Sequence, residues 1–177
     1  MTESTITADS TMEEILHAYP SAQRALFQRY HVGGCSSCGF QPSDTLAQVC
    51  RDHNMLDVDE VIRHIHQSHE TDQQMQIEPQ RVKEWLDQGE EFRFIDVRMP
   101  EEIQLAKLPE AEPLDFMDQG KYMNLPKDAK LVFTCKSGMR SLDVAAYFAG
   151  HGFTNVFSMR GGLDGWRADI DASIPTY

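Results

Sequence analysis

Eleven consecutive residues, Leu131-Val132-Phe133-Thr134-Cys135-Lys136-Ser137-Gly138-Met139-Arg140-Ser141, leave this chain little choice of architecture. Residues 131–134 form an apolar, β-branched and aromatic run of strand length. From Ser141 the period changes: Leu142, Ala145, Ala146 and Ala149 recur at helical spacing, and Gly150 marks a stop. The pattern predicts a buried strand, a short loop opening with Cys135, and a helix. Loop N–H groups with no helical partner converge on the loop centre, and the helix dipole adds positive potential there. Such a cradle suits a cysteine thiolate, and Lys136 and Arg140 add cationic charge.

The loop alone leaves three readings open. A cysteine-led cradle can carry sulfur as a persulfide, act on phosphate or arsenate, or simply turn the chain around a buried thiol. Tyrosine phosphatases place five residues between Cys and Arg, whereas four separate Cys135 from Arg140. The smaller ring favours a small target such as a sulfane sulfur.

The remaining pattern of residues 77–177 alternates strands and helices. Pro79 opens a helix with Val82, Trp85 and Leu86 on one face, and Gly89 ends it. Residues 92–97 and 155–158 read as strands, and a short helix follows Pro100. Alternation of this kind predicts a parallel sheet flanked by helices, with ligands at the carboxyl ends of the strands, where Cys135 falls. Residues 1–69 differ. Thr11 with Glu14 is a capping box, Ser21 caps a second helix, Ser43 or Asp44 a third, and Asp57 with Glu60 a fourth. The expected architecture is therefore a small all-α domain over 1–69, a polar linker without periodicity over 70–76, and an α/β domain over 77–177.

Three motifs in the α/β half resemble the rhodanese family. Phe94-Ile95-Asp96-Val97-Arg98-Met99-Pro100-Glu101-Glu102-Ile103 is similar to its first strand and turn, residues 135–141 to its active loop, and Gly161-Gly162-Leu163-Asp164-Gly165-Trp166 to its closing Gly-Gly-x-x-x-Trp signature. The resemblance implies a sulfurtransferase with Cys135 as persulfide carrier. It implies a substrate-binding loop of Lys136, Ser137, Gly138, Met139, Arg140 and Ser141, with Asp96 and Arg98 as support. In the family the loop arginine braces the loop, often against the acid of the Asp-Val-Arg turn, which implies an Arg140–Asp96 pair. The family's Gly-His-Ile-Pro-Gly-Ala is replaced here by Ala106-Lys107-Leu108-Pro109-Glu110-Ala111. The implied donor is thiosulfate or a persulfide, and that departure makes free thiosulfate the poorer of the two, with a low-molecular-weight persulfide or a protein partner as the alternative donor. The helical half resembles the small DUF1858 domain, through Thr11, Tyr19-Pro20, Cys35-x-x-Cys38, Thr45-Leu46 and Val58-Asp59-Glu60-Val61.

Cys35 and Cys38 make one Cys-x-x-Cys, half of a zinc signature. Sulfur relay or redox work, metal binding with help from His31, Cys50 or the histidines of 64–69, and an incidental pair all stay open. No metal or other cofactor is assigned. Cys50, on an apolar helix face beside Val49, reads as core. Phe116-Met117 and Tyr122-Met123 are expected to wall the site, and Trp85 and Trp166 to serve core or interdomain packing.

A net charge of −12 argues against nucleic acid as a partner. No apolar run reaches the length of a membrane span and no basic, apolar leader opens the chain, so the sequence predicts a cytoplasmic protein that does not engage membranes. Four cysteines in a chain of this size fit reduced thiols. The expected partners are a small sulfur donor and a thiol acceptor, including a protein persulfide carrier, with the chain a monomer or homodimer.

Overall fold

The computed structural model describes residues 5–33, 39–55, 57–118 and 120–177. The chain divides into two compact units, residues 1–73 and 74–177.

In the first unit, α1 (Met12–Ala18), α2 (Ala22–Tyr30), α3 (Leu46–Asp52) and α4 (Val58–Met75) bury Met12, Ile15, Leu26, Leu46, Val49 and Ile65 in one core. Thr11 and Glu14 close the expected capping box, with Glu14 N–H donating to Thr11 Oγ1 at 3.3 Å and Thr11 N–H to Glu14 Oε2 at 2.9 Å. Two caps differ from expectation. Thr45, rather than Ser43 or Asp44, caps α3, because an antiparallel bridge to Thr11 presents it there; Asp44 instead accepts from Gln41 N–H. Ser21 sits in helical geometry and makes no side-chain cap.

The segment expected to be an aperiodic linker, 70–76, is helical through Met75. It contains no glycine or proline to end a helix. Its polar Asp72 also faces inward, buried against Arg24 of α2 in an ion pair that sequence spacing does not announce.

The second unit is a five-stranded sheet, with every pair parallel, in the order β1-β5-β4-β2-β3. The strands are β1 (Gln76–Ile77), β2 (Arg93–Asp96), β3 (Glu112–Pro113), β4 (Leu131–Thr134) and β5 (Val156–Met159). Between them run α5 (Pro79–Gln88), α6 (Pro100–Leu105), α7 (Gly120–Met123), α8 (Met139–Gly150) and, last, α9 (Gly162–Asp169). Central β4 is buried along its whole length, which explains its unbroken apolar run. Its side chains alternate between two cores: Val132 packs with Phe94, Trp85 and Trp166, and Leu131 and Phe133 pack with Ile95, Ala145 and Phe148. Both tryptophans therefore lie in this unit's core, the first of the two readings the sequence left open. The two-residue strands β1 and β3 form the sheet's edges, where Pro113 is tolerated because no ladder bond is asked of its nitrogen.

Candidate active site

Cys135 leaves the carboxyl end of β4, and Gly138, in the left-handed region at φ 90°, turns the chain into α8. The turn folds the loop around the sulfur. Gly138 N–H donates to Cys135 Sγ at 3.1 Å, Ser141 N–H at 3.4 Å and the Ser141 hydroxyl at 3.4 Å. Two backbone donors and one hydroxyl thus point at a sulfur whose residue is 1% exposed. Beneath them Ser141 Oγ lies 2.8 Å from the buried Ser158 Oγ of β5, which donates in turn to Gly138 O at 3.3 Å. The opposite side of the loop is held by α9: Leu163 N–H donates to Cys135 O at 2.8 Å and Asp164 N–H to Lys136 O at 3.0 Å. This explains the paired glycines 161 and 162. They let a helix N-terminus close directly on the loop carbonyls.

The supporting charges are wired differently from the family pattern. Asp96 does not meet Arg140. It binds Arg98, whose Nε donates to Asp96 Oδ1 at 3.0 Å and Nη2 to Oδ2 at 2.7 Å, with both residues buried. The Arg98 backbone N–H also reaches Asp96 Oδ1, at 3.1 Å, so the turn itself selects the pairing. Arg98 Nη2 further donates to Ala106 O at 2.8 Å, and Ala106 and Leu108 are buried; the segment that departs from the family pattern thus anchors this arginine.

Arg140 pairs instead with Glu102 of α6, both terminal nitrogens donating to the carboxylate at 2.7 Å. Glu102 also accepts from Met99 N–H at 3.0 Å and from the Tyr177 hydroxyl at 3.2 Å. The Arg140 guanidinium holds the Glu102 carboxyl down to about 2, against a smaller opposing push from burial. Lys136 Nζ stands 3.3 Å from Asp164 Oδ2 and 5.2 Å from the Tyr177 ring centroid.

Sequence reasoning missed Glu102, Ser158 and Tyr177. Glu102 carried a signal, an acidic residue in the first turn of a helix opened by proline; Ser158 and Tyr177 carried none. Tyr122 lies in one buried core with Cys135, Met123 packs against that core, and Phe116 joins both at the surface. Phe116, Tyr122 and Met123 line an apolar groove of about 430 Å³ with Asp143, Val144, Tyr147 and Phe148 of α8, while Met117 is almost wholly exposed.

In the first unit, Cys50 is core, and burial pushes its thiol up. His66 and His69 pack edge-on against Tyr19, each with ring centroids 5.0 Å apart. Among the described residues no three His, Cys, Asp or Glu side chains are grouped to hold a metal, and no helix is long and apolar enough to cross a membrane. Cys35 and Cys38 lie outside the described residues.

The arrangement is one that can support nucleophilic chemistry: an enclosed sulfur at a strand end, with donors placed to stabilise negative charge on it. Comparison with known proteins points the same way. The family described as rhodanese-like domain matches residues 78–169. The putative sulfurtransferase YtwF of Bacillus subtilis is 37% identical over 89 residues, covering 50% of this chain and 85% of that protein. The probable adenylyltransferase/sulfurtransferase MoeZ of Mycobacterium tuberculosis is 30% identical over 104 residues, covering 57% of this chain; the chain spans only 26% of that longer protein. Reduced Bacillus anthracis CoADR-RHD, a crystal structure, shares the fold at a TM-score of 0.50 and 18% identity, over 67% of this chain and 21% of that one.

Proposed function

The chain belongs to the rhodanese-like family, and on that premise we propose that it is a sulfurtransferase in which Cys135 carries sulfur as a persulfide. The observation that carries the reading is the convergence of Gly138 N–H, Ser141 N–H and Ser141 Oγ on one enclosed sulfur.

The Cys135 thiolate attacks the outer sulfur of a donor. A new S–S bond forms at Cys135, the donor's own bond to that sulfur breaks, and its electron pair leaves with the departing thiolate or sulfite. An acceptor thiolate then attacks the outer sulfur of the Cys135 persulfide, and Cys135 departs as a thiolate. No net oxidant or reductant is needed. Lys136, Ser137, Gly138, Met139, Arg140 and Ser141 form the substrate loop in this reading, and the Asp96–Arg98 pair fixes the turn beside it.

A persulfide on a low-molecular-weight thiol or a protein is the proposed donor, in preference to thiosulfate. The Ala106-Lys107-Leu108 segment and the carboxylate partners of Lys136 and Arg140 support that preference. The helical unit is proposed to be DUF1858-like and to take sulfur from Cys135 onto Cys35 or Cys38. A cytoplasmic setting, and a monomer or homodimer, complete the proposal.

The test is transfer from thiosulfate or cysteine persulfide to cyanide or a thiol, by wild type and Cys135→Ser. Wild type should turn over and should gain about 32 Da, one sulfur atom, at Cys135. Equal transfer by the two proteins would refute the reading. Loading of Cys135 without turnover would favour a non-catalytic sulfur carrier.

A further inference from the structure

The Tyr177 hydroxyl stands between two ion pairs. On one side Arg98 Nη1 donates to it at 3.0 Å, while the other nitrogens of this buried arginine are held by Asp96 and Ala106 O. On the other side the hydroxyl donates to Glu102 Oε1 at 3.2 Å, and Glu102 grips both terminal nitrogens of Arg140. The ring faces Lys136, itself beside Asp164. Both cations of the thiol loop, Arg140 and Lys136, are therefore compensated by carboxylates, and Tyr177 touches both arrangements.

We infer that Tyr177 is a specificity-determining residue of the sulfur-transfer site: by holding Glu102 on Arg140 it keeps the loop guanidinium compensated, and so sets the site against small, multiply charged sulfur anions and in favour of singly charged persulfides carried on a thiol. The inference rests on the sulfur-transfer reading of Cys135. Its physical basis is the hydrogen bonding of Arg98. Without the phenol oxygen, Arg98 Nη1–H becomes a buried donor with no acceptor, a costly state. Glu102 Oε1, on the far side of that oxygen, is the acceptor in line to replace it. A Glu102 drawn towards Arg98 loosens its hold on Arg140 and raises the potential at the mouth of the loop. Tyr177 acts on the donor through Glu102 and Arg140, and in that sense it is a positioning residue.

Two reagents of matched size read the field at the sulfur without requiring sulfur transfer. Iodoacetate is anionic and iodoacetamide neutral, and the Cys135 peptide identifies each adduct by mass spectrometry. Their rate ratio is compared in wild type, Tyr177→Phe, Glu102→Gln, Arg140→Gln and Tyr177→Phe/Arg140→Gln, beside KM and kcat for thiosulfate and cysteine persulfide. Tyr177→Phe should raise the iodoacetate preference about threefold or more. It should lower KM for thiosulfate by a similar factor, with kcat and the persulfide KM moving less. Glu102→Gln should shift both in the same direction and further. In the Arg140→Gln background, Tyr177→Phe should change neither. An unmoved ratio in Tyr177→Phe beside a raised one in Glu102→Gln would overturn the role of Tyr177, as would a shift that persists without Arg140. A wild type that takes sulfur from no donor would overturn the transfer reading, and the specificity role with it.

Discussion

Replacing Gly162 by alanine should damage the thiol loop far more than its position in a different motif suggests. A Cβ at residue 162 would lie 2.3 Å from Cys135 O, 2.7 Å from Lys136 O and 2.8 Å from Gly138 N, all backbone atoms of the loop. Gly162 also has φ 55°, which costs a residue with a side chain about 1–2 kcal/mol. Relief of the overlap needs a displacement of about 1 Å, worth about 1–3 kcal/mol as overpacking. Gly89 supplies the control. It too is left-handed, at φ 68°, but a Cβ there meets nothing within 4 Å, so Gly89→Ala carries the backbone penalty alone. The difference between the two variants, about 1–3 kcal/mol, isolates the close approach of α9 to the loop. Trp85 and Trp166 are the chain's two tryptophans, and both are buried in the second unit, so urea unfolding followed by tryptophan fluorescence reports that unit alone. The shift should also disturb the Leu163 N–H to Cys135 O and Asp164 N–H to Lys136 O bonds. A 1 Å misplacement of reacting groups can cost about 100-fold in rate, so sulfur loading of Cys135 should fall by more than the stability loss alone explains. Equal destabilisation in Gly162→Ala and Gly89→Ala, with Cys135 loading unchanged, would refute the argument.

Asp96→Ala should destabilise the second unit by about 3–5 kcal/mol in the same urea assay, because it leaves the buried Arg98 guanidinium without its counter-ion; a loss below about 1 kcal/mol would show that water reaches Arg98. The Glu102 carboxyl, lowered from 4.5 to about 2 by its bonds to Arg140, makes an acid-side contribution of definite sign. A depressed folded-state value means that the stabilisation is fully present above about pH 4.5 and is lost as pH falls towards 2. Glu102→Gln should flatten the stability profile in that window, and an identical slope in variant and wild type would contradict the pairing. The Cys35→Ser/Cys38→Ser double variant should still load sulfur on Cys135 but pass it to a dithiol acceptor more slowly, and unchanged transfer would remove support for the relay.

What the sequence made legible divides along physical lines. The thiol loop was legible because its constraints are local: a strand-length apolar run, a cysteine, a glycine at the turn and an alanine-rich helix follow one another without interruption. The sheet around it was legible as a class, from alternation, but its edges were not. Strands β1 and β3 are two residues long, too short to show any period, and they exist through their register with β5 and β2. The helical end of α4 was hidden for a related reason. Its inward residue is Asp72, and a buried acid reads as a solvated one until Arg24, far away in sequence, is seen beside it.

The exchange of arginine partners shows how such a miss arises and what resolves it. Two arginines, 98 and 140, could serve Asp96; the family resemblance implied Arg140, and the residue spacing alone does not choose. Geometry does: Arg98 follows Asp96 by two residues, so one turn delivers both its backbone N–H and its guanidinium to the same carboxylate. With Asp96 taken, Arg140 at the loop's edge needs a different acid, and the first turn of α6 provides one in Glu102. The side-chain oxygen that joins these two pairs is the Tyr177 hydroxyl, 79 residues from Arg98 and 75 from Glu102. No sequence pattern spans such a separation. The charge balance at the mouth of the loop is therefore decided by contacts that only the folded chain creates, while Cys135 and its backbone donors are decided within seven residues.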